Sequence, residues 1–521
     1  MASSSSISKH KIPKTLMILL IINFLFLIHT TSAETNSNSN SHFSRFSRHQ
    51  SSSSRTKQGF LASVQESMNH ALFARSLAFN LTLSQRAAQV HIIDPVHDCL
   101  ELLDDTLEML SRITTMQDTI SSDDDEDVHT WLSAALTNQE TCEQSLQEKS
   151  KSYKNGFEID FVARNLSGML TKSLELFVSV KSKSRRLLSE QEYIPTFVTS
   201  SDRRLLEASV EVLKIDAVVA TDGSGTHKTV GEALLASSLA SSGGRTVIHL
   251  KAGTYNENIN IPTKQKNVML VGDGKGKTVI VGSRSNRGGW TTYRTATVAA
   301  MGEGFIARDI TFVNSAGPKS EQAVALRVGA DKSVVYRCSV EGYQDSLYTH
   351  SKRQFYRETD ITGTVDFIFG NSAVVFQSCN IVARKPLPGQ RNFVTAQGRS
   401  NPNQNSGISI QSCKITAQST TFLGRPWKEY SRTVVMQSFL DGSIHPSGWS
   451  PWSGGFGLKT LFYGEFGNSG PGSSVSGRVK WTGYHSSLTV KEAEGFTVAG
   501  FIDGAMWLPS TGVSFDSGLV K

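Results

Sequence analysis

The sequence predicts an all-β C-terminal domain wound as a parallel β-helix, preceded by an all-α helical bundle. Short apolar segments recur with one internal pattern: VVYRCSV at 334–340, QFYRETDI at 354–361, VVFQSCNI at 374–381, ISIQSCKI at 408–415 and VVMQSF at 434–439. Tyr336, Tyr356 and Phe376 fall 20 residues apart, too far for hairpin partners and too close for strand-helix-strand units, so each segment reads as one coil of a repeat. The segments are β-branched and aromatic and are punctuated by Gly, Asn, Asp and Ser turns. Upstream, apolar residues instead recur at helical spacing.

From the start, residues 1–33 read as a secretory signal: Lys9, Lys11 and Lys14 form a basic region, residues 16–28 an apolar core, and Thr31-Ser32-Ala33 a small-residue cleavage site. A membrane anchor is the competing reading, but the apolar run is short for a span, and no later segment is apolar enough. Residues 34–58 are Ser- and Asn-rich and are expected to be disordered, with too little apolar surface to offset ordering entropy. Residues 59–182 read as the bundle: Leu102, Leu103, Leu107, Leu110 and Ile113 share one helix face, as do Leu166, Leu170, Leu174 and Leu176. The acidic run at 123–127 (DDDED) reads as a solvated interhelical loop, since it lacks the Gly and spaced ligands of a calcium loop. Asn80-Leu-Thr and Asn165-Leu-Ser are N-glycosylation acceptors. A basic linker at 183–206 holds Arg-Arg-Leu-Leu twice, at 185–188 and 203–206.

From Glu207 to Lys521 there are 32 Lys and Arg against 23 Asp and Glu, whereas the first 206 residues are slightly acidic, 21 against 23. The C-terminal domain thus favours an acidic polymer. Nucleic acid is excluded as that polymer by export and by the lack of a binding motif. VGDGKGKT at 271–278 ends like a phosphate loop, but Val271 stands where the first Gly is needed and no helix pattern follows, so it reads as a tight turn between coils.

The chemistry concentrates at 322–370. Gln322 and Gln344 are 22 apart and Asp345 and Asp366 are 21 apart, close to one coil, so stacking sets all four along one outer face. Two carboxylates on neighbouring coils resist ionising together, so one keeps a proton as acid while the other stays anionic as nucleophile or base. Two neutral amides beside them suit a developing oxyanion. The set points to acyl chemistry. A glycosidase would not need the two amides, and a lyase would want calcium-binding carboxylates.

At these residues the chain resembles the plant pectin methylesterases. The family's blocks stand here as GTYNE at 253–257, QAVAL at 322–326, GYQDSLY at 342–348, DFIFG at 366–370 and LGRPW at 423–427. The resemblance implies a right-handed β-helix from 207 to 521 that removes methyl groups from methyl-esterified homogalacturonan, giving pectate and methanol. It makes Asp366 the nucleophile, Asp345 the proton donor and then base, and Gln322 and Gln344 the oxyanion donors. Arg425 orients Asp366 and, with Thr292, Gln322, Trp427, Tyr348, Phe369 and Trp449, contacts substrate. No metal or other cofactor is needed. His350 has no catalytic role in the family and is expected to make a structural hydrogen bond.

The bundle resembles the inhibitor-like domain ahead of many of these enzymes, notably in WLSAALTNQETC at 131–142. That likeness implies a Cys99–Cys142 disulfide, inhibition of the enzyme until processing, cleavage of the linker by a subtilisin-like protease, and recognition by proteinaceous pectinesterase inhibitors. The family's earlier Cys pair is absent. Many relatives bridge the positions of Thr359 and Cys379; Thr359 makes no such bond. Cys338, Cys379 and Cys413 read as stacked free thiols, with a Cys379–Cys413 bridge open if their coils are adjacent. The expected product is a secreted, monomeric cell-wall protein without a membrane anchor once the signal is removed.

Overall fold

The computed structural model describes residues 45–87, 95–116, 124–150, 157–187, 213–240 and 244–520. The signal, the start of the Ser-rich segment and the second Arg-Arg-Leu-Leu lie outside them. Contacts divide the chain into Met1–Ser52, of which only the first turns of one helix are described, and Ser53–Lys521. The second unit holds both the bundle and the β-helix.

Four helices build the bundle: α1 (Arg45–Ala87), α2 (Pro95–Thr115), α3 (Asp125–Glu148) and α4 (Phe157–Leu187). Helix α1 begins at Arg45, so residues 45–58 are helical where disorder was expected. Once a helix is nucleated, each further residue adds a backbone hydrogen bond for little extra ordering. Likewise Arg185, Arg186 and Leu187, the front of the first Arg-Arg-Leu-Leu, end α4 and are not linker. The acidic run corrects in the same way: residues 125–127 form the first turn of α3, where negative charge favours the helix dipole. Leu102, Leu103, Leu110, Ile113, Leu166, Leu170 and Leu174 are buried between the helices. Cys99 and Cys142 form the disulfide that ties α2 to α3, and Asn80 and Asn165 are exposed.

The rest winds into a three-faced parallel β-helix, with sheets of eleven, eight and seven strands among the described residues. Each coil contributes one short strand to each sheet in turn, and right-handed crossover is the rule for parallel strands. One coil is about 20 residues. Arg353 stands opposite Ala373, Ser333 opposite Gln354, and a longer excursion sets Ala373 opposite Gly407. The 20-residue spacing of the aromatics therefore holds for Tyr356 and Phe376, which stack at 4.7 Å, but not for Tyr336. Its coil is 21 long, so Tyr336 pairs with Arg357 and packs outside the barrel, near Val498 and Trp507. A one-residue slip reverses the face a strand side chain occupies.

Corners between the sheets need left-handed backbone, and Asp309, Arg337, Glu358, Ser378, Ser412 and Gln437 supply it with φ of 51–60°. Just beyond them runs an interior ladder of small groups. Cys338 N donates to Thr359 Oγ1, Cys379 N to Cys413 Sγ at 3.3 Å, and Cys413 N to Ser438 Oγ. The three thiols are buried and free, and burial raises the Cys338 thiol to about 12. The 271–278 segment is a turn between strands Val268–Gly272 and Thr278–Gly282.

Candidate active site

The site lies on the outer face of the seven-stranded sheet. Strands Leu347–Thr349 and Ile368–Gly370 pair with Leu347 opposite Ile368 and Tyr348 opposite Phe369. Two residues ahead of each strand stand Asp345 and Asp366, in register on adjacent coils, whose backbones run about 4.8 Å apart. Both take left-handed backbone, with φ of 60° and 51°. Aspartate tolerates this better than most residues because its short polar side chain bonds locally. Asp345 N donates to Val365 O at 3.0 Å, locking one corner onto the next.

The two carboxylates line a cleft of about 230 Å³ with Thr292, Gln322, Gln344, Phe369, Arg425 and Trp427. Arg425 follows strand Thr421–Gly424 and forks onto Asp366, Nε to Oδ1 at 2.8 Å and Nη2 to Oδ2 at 2.6 Å. Its guanidinium lies between the rings of Phe393 and Trp452, 4.1 and 4.3 Å from their centroids. Burial raises the Asp366 carboxyl above its ordinary range, and Arg425 opposes that rise. Asp345 is held well above the ordinary range, first by burial, then by the charge of Asp366 and of Glu148, with only the more distant Arg425 opposing. One carboxylate therefore carries the guanidinium and the other keeps its proton, a division suited to nucleophile and acid. Tyr348 stacks on Phe369 at 4.2 Å, and Phe369 meets Trp427 edge-on at 5.9 Å.

The structure does not bring Trp449 to this cleft. It is 1% exposed, donates Nε1 to Glu465 and packs on Tyr463 at 4.2 Å, so it belongs to the barrel core. Trp452, three residues on and 37% exposed, lines the cleft together with Trp427. An aromatic flanked by Pro451 and Ser453-Gly454-Gly455 sits in a surface loop rather than a strand, and that was the overlooked signal. His350 contributes no group to the cleft; its Nδ1 meets Ser351 Oγ and its Nε2 meets Thr141 Oγ1 at 3.0 Å.

Thr141 belongs to the bundle, and helix α3 lies across the cleft. Gln144 is one of its walls, and Glu148 accepts from Thr292 N at 2.8 Å and Asn286 Nδ2 at 3.2 Å. Thr137 accepts from Asn371. Bundle carboxylates meet β-helix cations throughout: Asp105 with Lys352 at 2.7 Å, Asp127 with Lys332 and Arg353 at 3.3 and 2.5 Å, Asp98 with Arg294 at 2.5 Å. The bundle's apolar core continues onto Tyr293, Val324, Tyr348 and Phe369. Neither Gln144 nor Glu148 was legible as a site residue, because their place depends on how the two folds dock.

A family model described as Pectinesterase matches residues 216–505. The chain belongs to the pectinesterase family. A second model, Plant invertase/pectin methylesterase inhibitor, matches residues 35–176, and the ester-hydrolase reading of the sequence is borne out. The chain is 83% identical over 524 residues to the probable pectinesterase/pectinesterase inhibitor 16 of Arabidopsis thaliana, covering 100% of both. It is 49% identical to pectinesterase 2 of Citrus sinensis, over 88% of each. Among solved structures, pectin methylesterase from carrot is 55% identical with a TM-score of 0.57, and the match covers 58% of this chain and 98% of that one. The expected right-handed β-helix with a helical domain ahead of it is likewise borne out. Among the described residues no helix is long and apolar enough to cross a membrane.

Proposed function

We propose that Asp345, Asp366, Gln322, Gln344 and Arg425 carry out the demethylation of pectin, and that the bundle holds this site closed until the linker is cut. Asp366 attacks the carbonyl carbon of a galacturonate methyl ester, and the tetrahedral oxyanion takes hydrogen bonds from the amides of Gln322 and Gln344. Asp345 protonates the departing methanol, leaving an acyl-Asp366 anhydride. Now a carboxylate, Asp345 takes a proton from water, whose oxygen attacks the acyl carbon. The galacturonate carboxyl departs, Asp366 is freed as carboxylate and Asp345 ends protonated. The observation carrying this reading is the in-register pair with Arg425 forked onto Asp366 alone. Tyr348, Phe369, Trp427 and Trp452 offer flat apolar surface to sugar rings.

Closure follows from Gln144 and Glu148 standing in the substrate's path. The Arg-Arg-Leu-Leu motifs suit a subtilisin-like protease of the secretory pathway, and the product, its two glycosylation acceptors left on the bundle, acts in the cell wall as a monomer open to separate inhibitor proteins. The deciding experiment measures methanol from highly methylated pectin with the full chain, before and after cleavage in the linker, beside Asp366→Asn. Release that rises on cleavage and vanishes in the variant supports the reading. Full activity in the variant removes Asp366 from its role, and equal activity before and after cleavage removes the bundle from its own.

A further inference from the structure

One bundle carboxylate sits in a socket made by the β-helix. Glu101 of α2 accepts from Tyr293 Oη at 2.9 Å and Arg327 Nη2 at 3.3 Å through Oε1, and its Oε2 meets Arg294 Nη1 at 3.1 Å. Two guanidinium groups and a phenol thus surround a single carboxylate. Arg327 is 1% exposed, and its guanidinium lies 3.4 Å from the centroid of Tyr293, which fixes its plane. Burial would raise the Glu101 carboxyl, yet Arg294 and Arg327 hold it below its ordinary range, as a socket built for an anion should.

The position matters as much as the chemistry. Phe369, Tyr348 and Arg327 are direct in-register neighbours on three successive coils. The aromatic floor of the cleft therefore continues, one coil beyond Tyr348, into a guanidinium. A polysaccharide lying over Phe369 and Tyr348 brings its next units to Arg327. On pectin those units carry either a methyl ester, which is neutral, or a free carboxylate, which is not. Coulomb attraction and a charge-assisted hydrogen bond favour only the second.

We propose that Arg294, Arg327 and Tyr293 form a subsite for the free carboxylate of an already demethylated galacturonate, and that Glu101 occupies it in the intact chain as a substitute for that carboxylate. The inference rests on the pectinesterase reading above. It makes the enzyme prefer esters beside demethylated stretches, and it makes the bundle a competitor for a product-like subsite as well as a cover over the reacting pair.

The test uses the full-length chain secreted from plant cells, cut between residues 187 and 213 and freed of its bundle by salt. The carrot enzyme, matched over 98% of its length by this β-helix, is a precedent for that part standing alone. Calorimetry with unesterified oligogalacturonate should show binding that weakens at least tenfold in Arg327→Gln and Arg294→Gln. It should weaken about threefold in Tyr293→Phe, with a shallower salt dependence in the two arginine variants. With partly demethylated pectin as substrate, KM should rise more than kcat falls. Unchanged oligogalacturonate affinity in variants of parental melting temperature overturns the subsite. Should Arg327→Gln fail to fold, Arg294 is 25% exposed at its side chain and Tyr293→Phe is nearly isosteric, so both still read the site. A second readout needs no variant. Added to the cut but unstripped protein, unesterified oligogalacturonate should release the bundle on a sizing column, and fully methylated oligomer should not; equal release by both also overturns the proposal. Binding is read without turnover, so absence of methanol would count against the esterase reading and not against the subsite.

Discussion

Arg425 places both guanidinium donors on Asp366, at 2.8 and 2.6 Å, while Asp345 on the adjacent coil faces Asp366 and Glu148. Two aspartates in equivalent backbone positions thereby acquire different protonation. Replacing Arg425 by Gln removes the group that opposes the burial of Asp366. A nearby opposite charge lowers a carboxyl by roughly one to three pH units, so its loss should move the acidic limb of kcat/KM upward by about that amount. At neutral pH kcat should also fall, because the nucleophile loses its orientation. A pH profile with an unmoved acidic limb would show that Arg425 does not set the charge of Asp366.

Gln322 and Gln344 line the cleft beside the carboxylates. Removal of one oxyanion donor costs about 10² to 10³ in kcat. Gln322→Ala and Gln344→Ala should each show that loss with a much smaller change in KM, since the oxyanion exists only near the transition state. A loss confined to KM would make them ground-state binders instead.

Much of this was legible in the sequence, for physical reasons. The 21-residue interval between Asp345 and Asp366 is the length of a coil, and stacking turns such an interval into adjacency. Arg425 and Trp427 came from a short block resembling the family. What was not legible has causes of its own. Trp449 and Trp452 share an aromatic-rich loop, and spacing alone does not say which one the chain turns inward. Tyr336 left the barrel interior because its coil is one residue longer than the next. The covering of the cleft by Gln144 and Glu148 arises from docking of two folds whose sequences are read separately. Only the opposite charges of the two halves hinted at it.

The docked bundle should respond to pH. Glu140 of α3 is half-buried against the β-helix beside Ser400, and desolvation there raises it to about 7; Glu143 and Glu148 are raised for the same reason. A carboxyl whose docked pKa exceeds its free value of about 4.5 favours docking most when protonated. That contribution is complete below the free pKa and is lost as pH rises toward 7, weakening docking by about two orders of magnitude for Glu140 alone. Glu101 is lowered and so acts only below the ordinary carboxylate range, in the opposite sense. His129 of α3, which meets Asn403 O and which burial lowers to about 4, opposes Glu140 over the same range, so the carboxyl is read in His129→Gln: cut but unstripped, that variant should hold its bundle at pH 5 and shed it more readily at pH 7. Glu140→Gln should flatten that dependence, as read by bundle retention on a sizing column.

The Cys99–Cys142 bond closes a 43-residue interval between α2 and α3. By loop entropy its removal costs about 4 kcal/mol. Cys99→Ser with Cys142→Ser should lower the melting of the helical signal and leave the β-sheet transition near its parental temperature. If both transitions fell together, the bundle and β-helix would be a single cooperative unit.

Trp449 and Trp452 give the sharpest contrast. Trp449 fills the barrel beside Tyr463, and its truncation leaves a cavity and removes one donor from Glu465, which keeps Arg478 at 2.8 Å and Tyr484 at 2.9 Å. Large aromatic-to-alanine changes in cores cost about 3 to 5 kcal/mol, so Trp449→Ala should depress stability sharply. Trp452 covers one face of the Arg425 guanidinium and borders the cleft. Trp452→Ala should leave melting almost unchanged and raise KM several-fold, with a smaller fall in kcat as Arg425 gains solvent. A substrate-binding aromatic must be reachable once the bundle leaves; Trp449 lies in the barrel core and is not, whereas Trp452 borders the cleft. Weaker substrate binding in Trp449→Ala than in Trp452→Ala, at matched stability, would reverse the assignment.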